Sequence, residues 1–250
     1  MTVIVRTHGG LGNQIFQIFF ARLYAQALET DYVELHDNNY KHKFARSSEI
    51  RPTFTTATKR QKFISDLRIP KLLLRSHLYK TEKTTIFGDT FLDGYFQQAS
   101  DYLPFSDAHI NAQIEVLRKE LHIEHDNLNS CTLYHLRLGD FFLNNKEAKA
   151  HTLERLEELE PGSVIISNQE EIFRENTIQD KLRDKDCILH STAGYTSEDT
   201  IRLMSKYRKI VTNNSTLAFW ASILGDCQTE FSDPKLATIH SLLSKIANKQ

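Results

Sequence analysis

Residues 8–14 read His8-Gly9-Gly10-Leu11-Gly12-Asn13-Gln14, between the β-branched run Thr2-Val3-Ile4-Val5 and an apolar helical stretch from Ile15 to Leu28. A strand that breaks at glycines and restarts as a helix leaves backbone N–H groups and the positive helix end at one point. A phosphate or other anion is held readily there. Glycine permits torsions closed to other residues and lets a ligand approach the main chain. Asn13 and Gln14 are polar at the mouth of an otherwise apolar helix, with side-chain donors to offer such a ligand. Neither well-known phosphate pattern is matched. Ile15 stands where the dinucleotide fingerprint needs a third glycine, and no Lys-Ser/Thr pair follows to make a P-loop. The same residues also make a plain tight turn, so the loop points to a phosphate site and leaves its ligand open.

Strand-like segments at 2–7, 31–36, 71–74, 131–136, 163–166, 186–189 and 208–212 alternate with amphipathic helical segments. The helical segments are 15–29, 57–67, 109–121, 148–159, 197–206, 215–224 and 235–247. Alternation of this kind predicts α/β architecture with parallel sheets. At 250 residues the chain has room for one large domain or two compact lobes. The polar stretch His122 to Ser130 divides two α/β blocks and reads as a linker or an ordinary surface loop. As a linker it separates an N-terminal lobe, 1–125, from a C-terminal lobe, 126–250. The ligand cleft then lies between the lobes, facing the carboxyl ends of strands.

Lys and Arg number 31 against 32 Asp and Glu, a net charge of −1 that argues against a nucleic-acid partner. Cys131, Cys187 and Cys227 are scattered, supporting neither a disulfide framework nor a zinc site. Met1 leads straight into the first strand, and no apolar run approaches a membrane span. The expectation is a reducing, cytoplasmic setting. Basic residues are dense from Lys41 to Lys83. They either attract an anionic membrane surface or acceptor, or form a solvated face.

Two further polar constellations stand at strand ends. In Tyr134-His135-Leu136-Arg137-Leu138-Gly139-Asp140, strand alternation puts His135, Arg137 and Gly139 on one face and Leu136 and Leu138 on the other. A guanidinium at the end of a strand can clamp a diphosphate bidentately, with Asp140 orienting Arg137 or His135; it can equally make a surface ion pair. In Val211-Thr212-Asn213-Asn214-Ser215-Thr216, a strand gives way to a helix bearing Leu217, Phe219 and Trp220. Asn214 or Ser215 serves as an N-cap, and the same geometry binds phosphate oxygens. Trp220 reads as core. Asp184-Lys185-Asp186 has the spacing of a metal clasp but reads as a solvated turn. Three anion-competent turns spread over both halves point to a nucleotide diphosphate.

Four segments, in order, resemble glycosyltransferase family 11, the α-1,2-fucosyltransferases. They are Gly9 to Gln17, Leu92-Asp93-Gly94-Tyr95-Phe96-Gln97, His135 to Asp140, and Asn214 to Ala221. The resemblance implies a GT-B-like fold of two Rossmann-like lobes with the donor cleft between them. The N-terminal lobe would lie on the acceptor side and the C-terminal lobe would bind the GDP-sugar. It implies inverting transfer of L-fucose from GDP-fucose to a hydroxyl, a galactoside 2-OH, with no metal and no cofactor. Arg137 would contact the donor diphosphate, and Gly10, Gly12 and Asn13 would approach it from the other lobe. Asn214, Ser215 and Thr216 would close on the phosphates, with His135 beside the nucleotide. Arg137, His135 and Asp140 form the expected catalytic set; His8, Asp93 and Tyr95 are expected on the acceptor. His135, Asp140, His8 and Asp93 all remain candidates for a general base.

Leu138 stands where many α-1,2 members carry a second arginine, and Leu217-Ala218 where they carry Phe-Ser. Ser167-Asn168-Gln169 likewise replaces Ser-Asp-Asp. Protein O-fucosyltransferases, by contrast, use one arginine in a His-Leu-Arg motif. The expected setting is surface-polysaccharide synthesis such as an O-antigen, on an oligosaccharide or lipid-linked glycan acceptor, peripheral at the inner membrane. A transferase for another nucleotide sugar and a non-catalytic nucleotide- or glycan-binding relative are the alternatives.

Overall fold

A computed structural model describes residues 2–36, 83–86, 88–124, 129–136, 146–167 and 176–248. The helix expected at 57–67, the strand at 71–74 and nearly all of the basic stretch from 41 lie outside them, as do Arg137 to Asp140 and Asn168-Gln169. The chain divides into two compact units, Met1–Gln113 and Ile114–Gln250. The division falls within a helix, upstream of the polar stretch 122–130.

The first unit opens with β1 (Thr2–Thr7), α1 (Leu11–Ala27) and β2 (Asp31–His36), followed by the strands β3 (Lys83–Ile86) and β4 (Asp89–Leu92). The short helix α2 (Ala99–Tyr102) and α3 (Asp107–Glu120) come next. Its sheet runs β2-β1-β4-β3, with β1 parallel to β2 and β4, and β3 antiparallel to β4. Alternation along β1 sends Val3 and Val5 to one face, where they pack with Ala21 and Ala25 of α1, Leu92 and Phe96. Ile4 faces the other way, onto Phe91 and Leu35. A strand buried on both faces carries an unbroken apolar run, and Val3-Ile4-Val5 is one.

The second unit contains β5 (Asn129–Leu136), α4 (Lys146–Glu157), β6 (Ser163–Ser167), α5 (Asn176–Leu182) and β7 (Cys187–Leu189). It continues with α6 (Ser197–Met204), β8 (Tyr207–Thr212), α7 (Thr216–Gly225), β9 (Gln228–Phe231) and α8 (Pro234–Ala247). Its five strands are all parallel, in the order β7-β6-β5-β8-β9. Tyr134, Leu136, Ile165 and Val211 present one face to Leu156, Leu159 and Ile178. Leu133 and Ile210, partners in register, are buried on the opposite face. Trp220 is wholly buried, as its position on α7 implies.

The α/β architecture with mainly parallel sheets therefore agrees with the sequence pattern, with some omissions. The β3–β4 pair, β9, α2 and α5 are all short and carry too little periodicity to stand out. The one local signal was Gly88, at φ +85, between two brief threonine-containing runs. The larger departure is α1, which starts at Leu11 and not at Ile15. Gly12 in a first turn weighs against helix by about 1 kcal/mol relative to alanine. Burial of Leu11 and Gly12 outweighs that bias.

Candidate active site

In parallel α/β sheets ligands bind outside the carboxyl ends of the strands, most often where strand order reverses. In the second unit that point lies between β5 and β8. The final register pair there is His135 with Thr212, and the Thr212 hydroxyl donates to the His135 carbonyl at 3.0 Å. The third and fourth sequence motifs, 77 residues apart at this bond, thus leave the sheet side by side.

Past Thr212 the chain turns through Asn213 and Asn214, the latter in the left-handed region at φ 61, which asparagine tolerates better than most residues. Asn213 is buried, and its Nδ2 donates to the Thr152 hydroxyl of α4 at 2.6 Å. Asn214 is half-buried, and its Oδ1 is enclosed without a hydrogen-bond partner among the described residues. Ser215 is the N-cap of α7: its Oγ accepts from the Ala218 N–H at 3.2 Å. The capping role foreseen for Ser215 is therefore occupied, and only its hydroxyl proton remains to offer a ligand. Thr216 is the first residue of α7 and is half-buried.

His135 is only 4% exposed at the end of β5, so its ring is not open to solvent as a surface base would be. Arg137 and Asp140, expected beside it, lie outside the described residues. Asp184 and Asp186 are exposed ahead of β7, in keeping with a solvated turn. Among the described residues no group of three or more His, Cys, Asp or Glu side chains converges to hold a metal ion.

In the first unit, the glycine loop leaves the carboxyl end of β1 next to the end of β4. Gly9, at φ +83, makes the turn, and exposed Gly10 is the extended N-cap of α1. That N-cap has no side-chain hydrogen bond, and the first turn holds no acidic residue. The loop's own hydrogen bonds decide which of its donors are engaged, and they correct the expectation for the Gln14 side chain. The Asn13 N–H donates to the Gly10 carbonyl at 2.9 Å, so Leu11 and Gly12 carry the N–H groups without an intrahelical acceptor. Gln14 is buried and its Nε2 donates to the Gly9 carbonyl at 2.7 Å, so its amide braces the loop and does not reach for a ligand. The Asn13 side chain is held too, its Oδ1 accepting from Gln97 Nε2 at 2.9 Å.

The three residues expected on the acceptor cluster at this edge. The rings of His8 and Tyr95 pack with centroids 4.9 Å apart and planes tilted by 54°. Asp93, one residue beyond β4, pairs with Arg6 of β1 at 3.8 Å. Sequence reasoning assigned no task to Arg6, Gln17, Gln97 or Thr152, all of which hold these groups in place. Gln17 and Gln97 belonged to the quoted motifs, yet nothing local tells which partner a buried amide finds.

No protein-family model and no curated protein matches the chain. Solved structures with overall likeness include the fucosyltransferase NodZ from Bradyrhizobium. It is 13% identical over 89% of this chain and 92% of that one, with a TM-score of 0.42. Another is a mutant of Arabidopsis thaliana FUT1 in complex with GDP, 12% identical over 94% and 71% of the two chains, with a TM-score of 0.47. A third is a family 9 glycosyl transferase from Veillonella parvula, 11% identical over 93% and 81%, with a TM-score of 0.44. Likeness at this level carries no statement about activity.

Proposed function

We propose that the chain is an inverting, metal-independent glycosyltransferase that moves L-fucose from GDP-fucose to a hydroxyl of a glycan acceptor, a galactoside 2-OH, in surface-polysaccharide synthesis. The observation that carries this reading is the pairing of His135 with Thr212 at the point of strand reversal. That pairing gathers the ends of β5 and β8, where an α/β sheet takes a nucleotide, at His135 of one segment that resembles family 11 and two residues ahead of another, Asn214 to Ala221. The glycine loop, Asp93 and Tyr95 supply the corresponding edge of the first unit.

In this reading the acceptor oxygen forms a bond to the sugar's anomeric carbon as the bond to the β-phosphate breaks. GDP leaves with the electron pair, and the acceptor hydroxyl's proton passes to the departing diphosphate or to solvent. Negative charge grows on the leaving diphosphate. Groups that meet it better in the transition state than in the ground state accelerate the step. Arg137, next in sequence after Leu136, clamps the diphosphate, and the start of α7 at Asn214, Ser215 and Thr216 adds donors; in the first unit Gly10, Gly12 and Asn13 are the proposed donor-binding residues. Burial of His135 weighs against its acting as the base. The setting is the cytoplasmic face of the inner membrane, with a lipid-linked or free oligosaccharide as acceptor and the basic residues from Lys41 drawing the chain to the anionic surface.

Isothermal titration with GDP, GDP-fucose, GDP-mannose and UDP, without added metal and with a chelator present, tests the donor. GDP and GDP-fucose are expected to bind, and Arg137→Ala to abolish that binding and cut turnover roughly 100-fold or more. Preference for UDP or GDP-mannose would favour a transferase for another nucleotide sugar, a reading that Leu138 in place of a second arginine keeps open. GDP-fucose binding with neither transfer nor hydrolysis would make the chain a non-catalytic binder.

A further inference from the structure

Gln17 lies on α1 with none of its surface exposed, and both ends of its amide are turned on His8. Its Oε1 accepts the His8 main-chain N–H at 3.0 Å, and its Nε2 stands 3.3 Å from the ring nitrogen Nδ1. A main-chain N–H can only donate, so it claims the amide oxygen. The amide nitrogen, which also can only donate, is thereby left on Nδ1. Nδ1 must accept, and in a neutral imidazole the proton then resides on Nε2.

We propose that Gln17 is a positioning residue that locks His8 in the Nε2–H form, so that His8 donates a hydrogen bond to an oxygen of the acceptor sugar and does not serve as the base. The lock stands on these contacts alone; the sugar as recipient rests on the glycosyl-transfer reading above. A base needs an available lone pair. Here the Nδ1 lone pair is engaged by Gln17 and the Nε2 position is filled by a proton. The Tyr95 ring, packed on His8 and 36% exposed, gives the same edge an apolar face against which the C–H side of a pyranose can lie. A ring-plus-donor arrangement of this kind suits a neutral sugar.

The ring proton can be read by two-bond 1H–15N correlation spectra of protein labelled with 15N-histidine, His8 being assigned by its disappearance in His8→Gln. The expected pattern at neutral pH is a bare Nδ1 and a protonated Nε2. Gln17→Glu offers a carboxylate in place of the amide nitrogen and should move the proton to Nδ1. Gln17→Met keeps the length, removes both polar ends and should release the ring to a mixture of tautomers. It serves equally if the buried carboxylate prevents folding. A brace with no hold on the proton would lose stability in both variants and leave the spectrum unchanged, which overturns the proposal. A mixed or Nδ1-protonated ring in the unaltered protein overturns it as well.

For the second half, transfer is followed from GDP-fucose to a galactoside. His8→Ala should raise the acceptor KM about tenfold, a loss of about 1.4 kcal/mol, with His8→Gln recovering part of it. Loss of kcat at constant KM, equal in both variants, would make His8 the base and overturn the donor role. Absence of transfer in the unaltered protein would overturn the glycosyl-transfer reading and the sugar-donor role with it, while the spectra decide the lock on their own.

Discussion

Gln97 Nε2 donates to Asn13 Oδ1 at 2.9 Å, across 84 positions of sequence. This bond ties the segment after β4 to the first turn of α1, and so sets the Asn13 side chain that closes over Gly9. Removing one partner of a part-buried hydrogen bond costs about 1 kcal/mol net. Gln97→Met should therefore lower stability by about that much, seen as a reduced urea midpoint with an unchanged slope. In the proposed enzyme it should also weaken GDP binding by freeing Asn13.

The neighbouring glycines should respond unequally to alanine. A Cβ on Gly9 would meet Asn13 Nδ2 at 3.0 Å and would sit at φ +83, where an L side chain is strained. Gly9→Ala should cost about 1–2 kcal/mol. Gly10 has nothing within 4 Å of the same position, so Gly10→Ala should change stability far less. If Gly10→Ala nonetheless weakens GDP binding, close approach of a ligand to the main chain is the cause. Thermal unfolding and titration of both variants separate the two effects.

Gly225, the last residue of α7, answers to packing alone. A Cβ there would meet the Cα and Cβ of Ser205, just past α6, at 2.8 Å, with the Ser205 carbonyl oxygen closer still. Backbone atoms cannot swing aside, so Gly225→Ala should destabilise by about 3 kcal/mol, the upper range for overpacking. Chemical denaturation measures it. An effect below about 1 kcal/mol would mean that the helix end yields easily.

Asn213 and Thr152 are both buried, and their 2.6 Å bond fastens the turn after β8 to α4. Asn213→Leu should cost about 2 kcal/mol, since it withdraws a partner from a buried hydroxyl. The double variant with Thr152→Val should lose less than the sum of the single changes.

Stability should fall in mild acid because of His240. Burial against Phe219 and Phe231 holds its imidazole down to about 4, from an ordinary 6.5. Between these values the unfolded chain binds a proton that the folded one refuses. Stability is therefore fully present above about pH 6.5 and declines as the pH falls toward about 4, by about 3 kcal/mol at most. Asp199 acts at lower pH: hydrogen bonds from Thr196 and Arg202 hold its carboxyl at about 2, so its contribution is lost only below about 4. His240→Leu should flatten the unfolding midpoint between pH 6.5 and 4 and leave the deeper acid loss in place.

Much of the architecture is written locally. Val3-Ile4-Val5, Ile165-Ile166 and Ile210-Val211 are apolar runs with helical segments between them, and burial on both faces of a parallel sheet demands such runs. The end of β8 and the start of α7 were likewise legible, because an asparagine turn followed by a capping serine has few conformations open to it. The strand order β7-β6-β5-β8-β9 was not. Adjacency of β5 and β8 depends on which apolar faces bury each other across the chain, and no local period encodes that. Only the assembled sheet brings His135 into register with Thr212, and only the packed helix turns the amide of Gln17 onto His8. A buried polar side chain must find a partner, but sequence does not name the partner; tertiary packing selects it from whatever lies within reach.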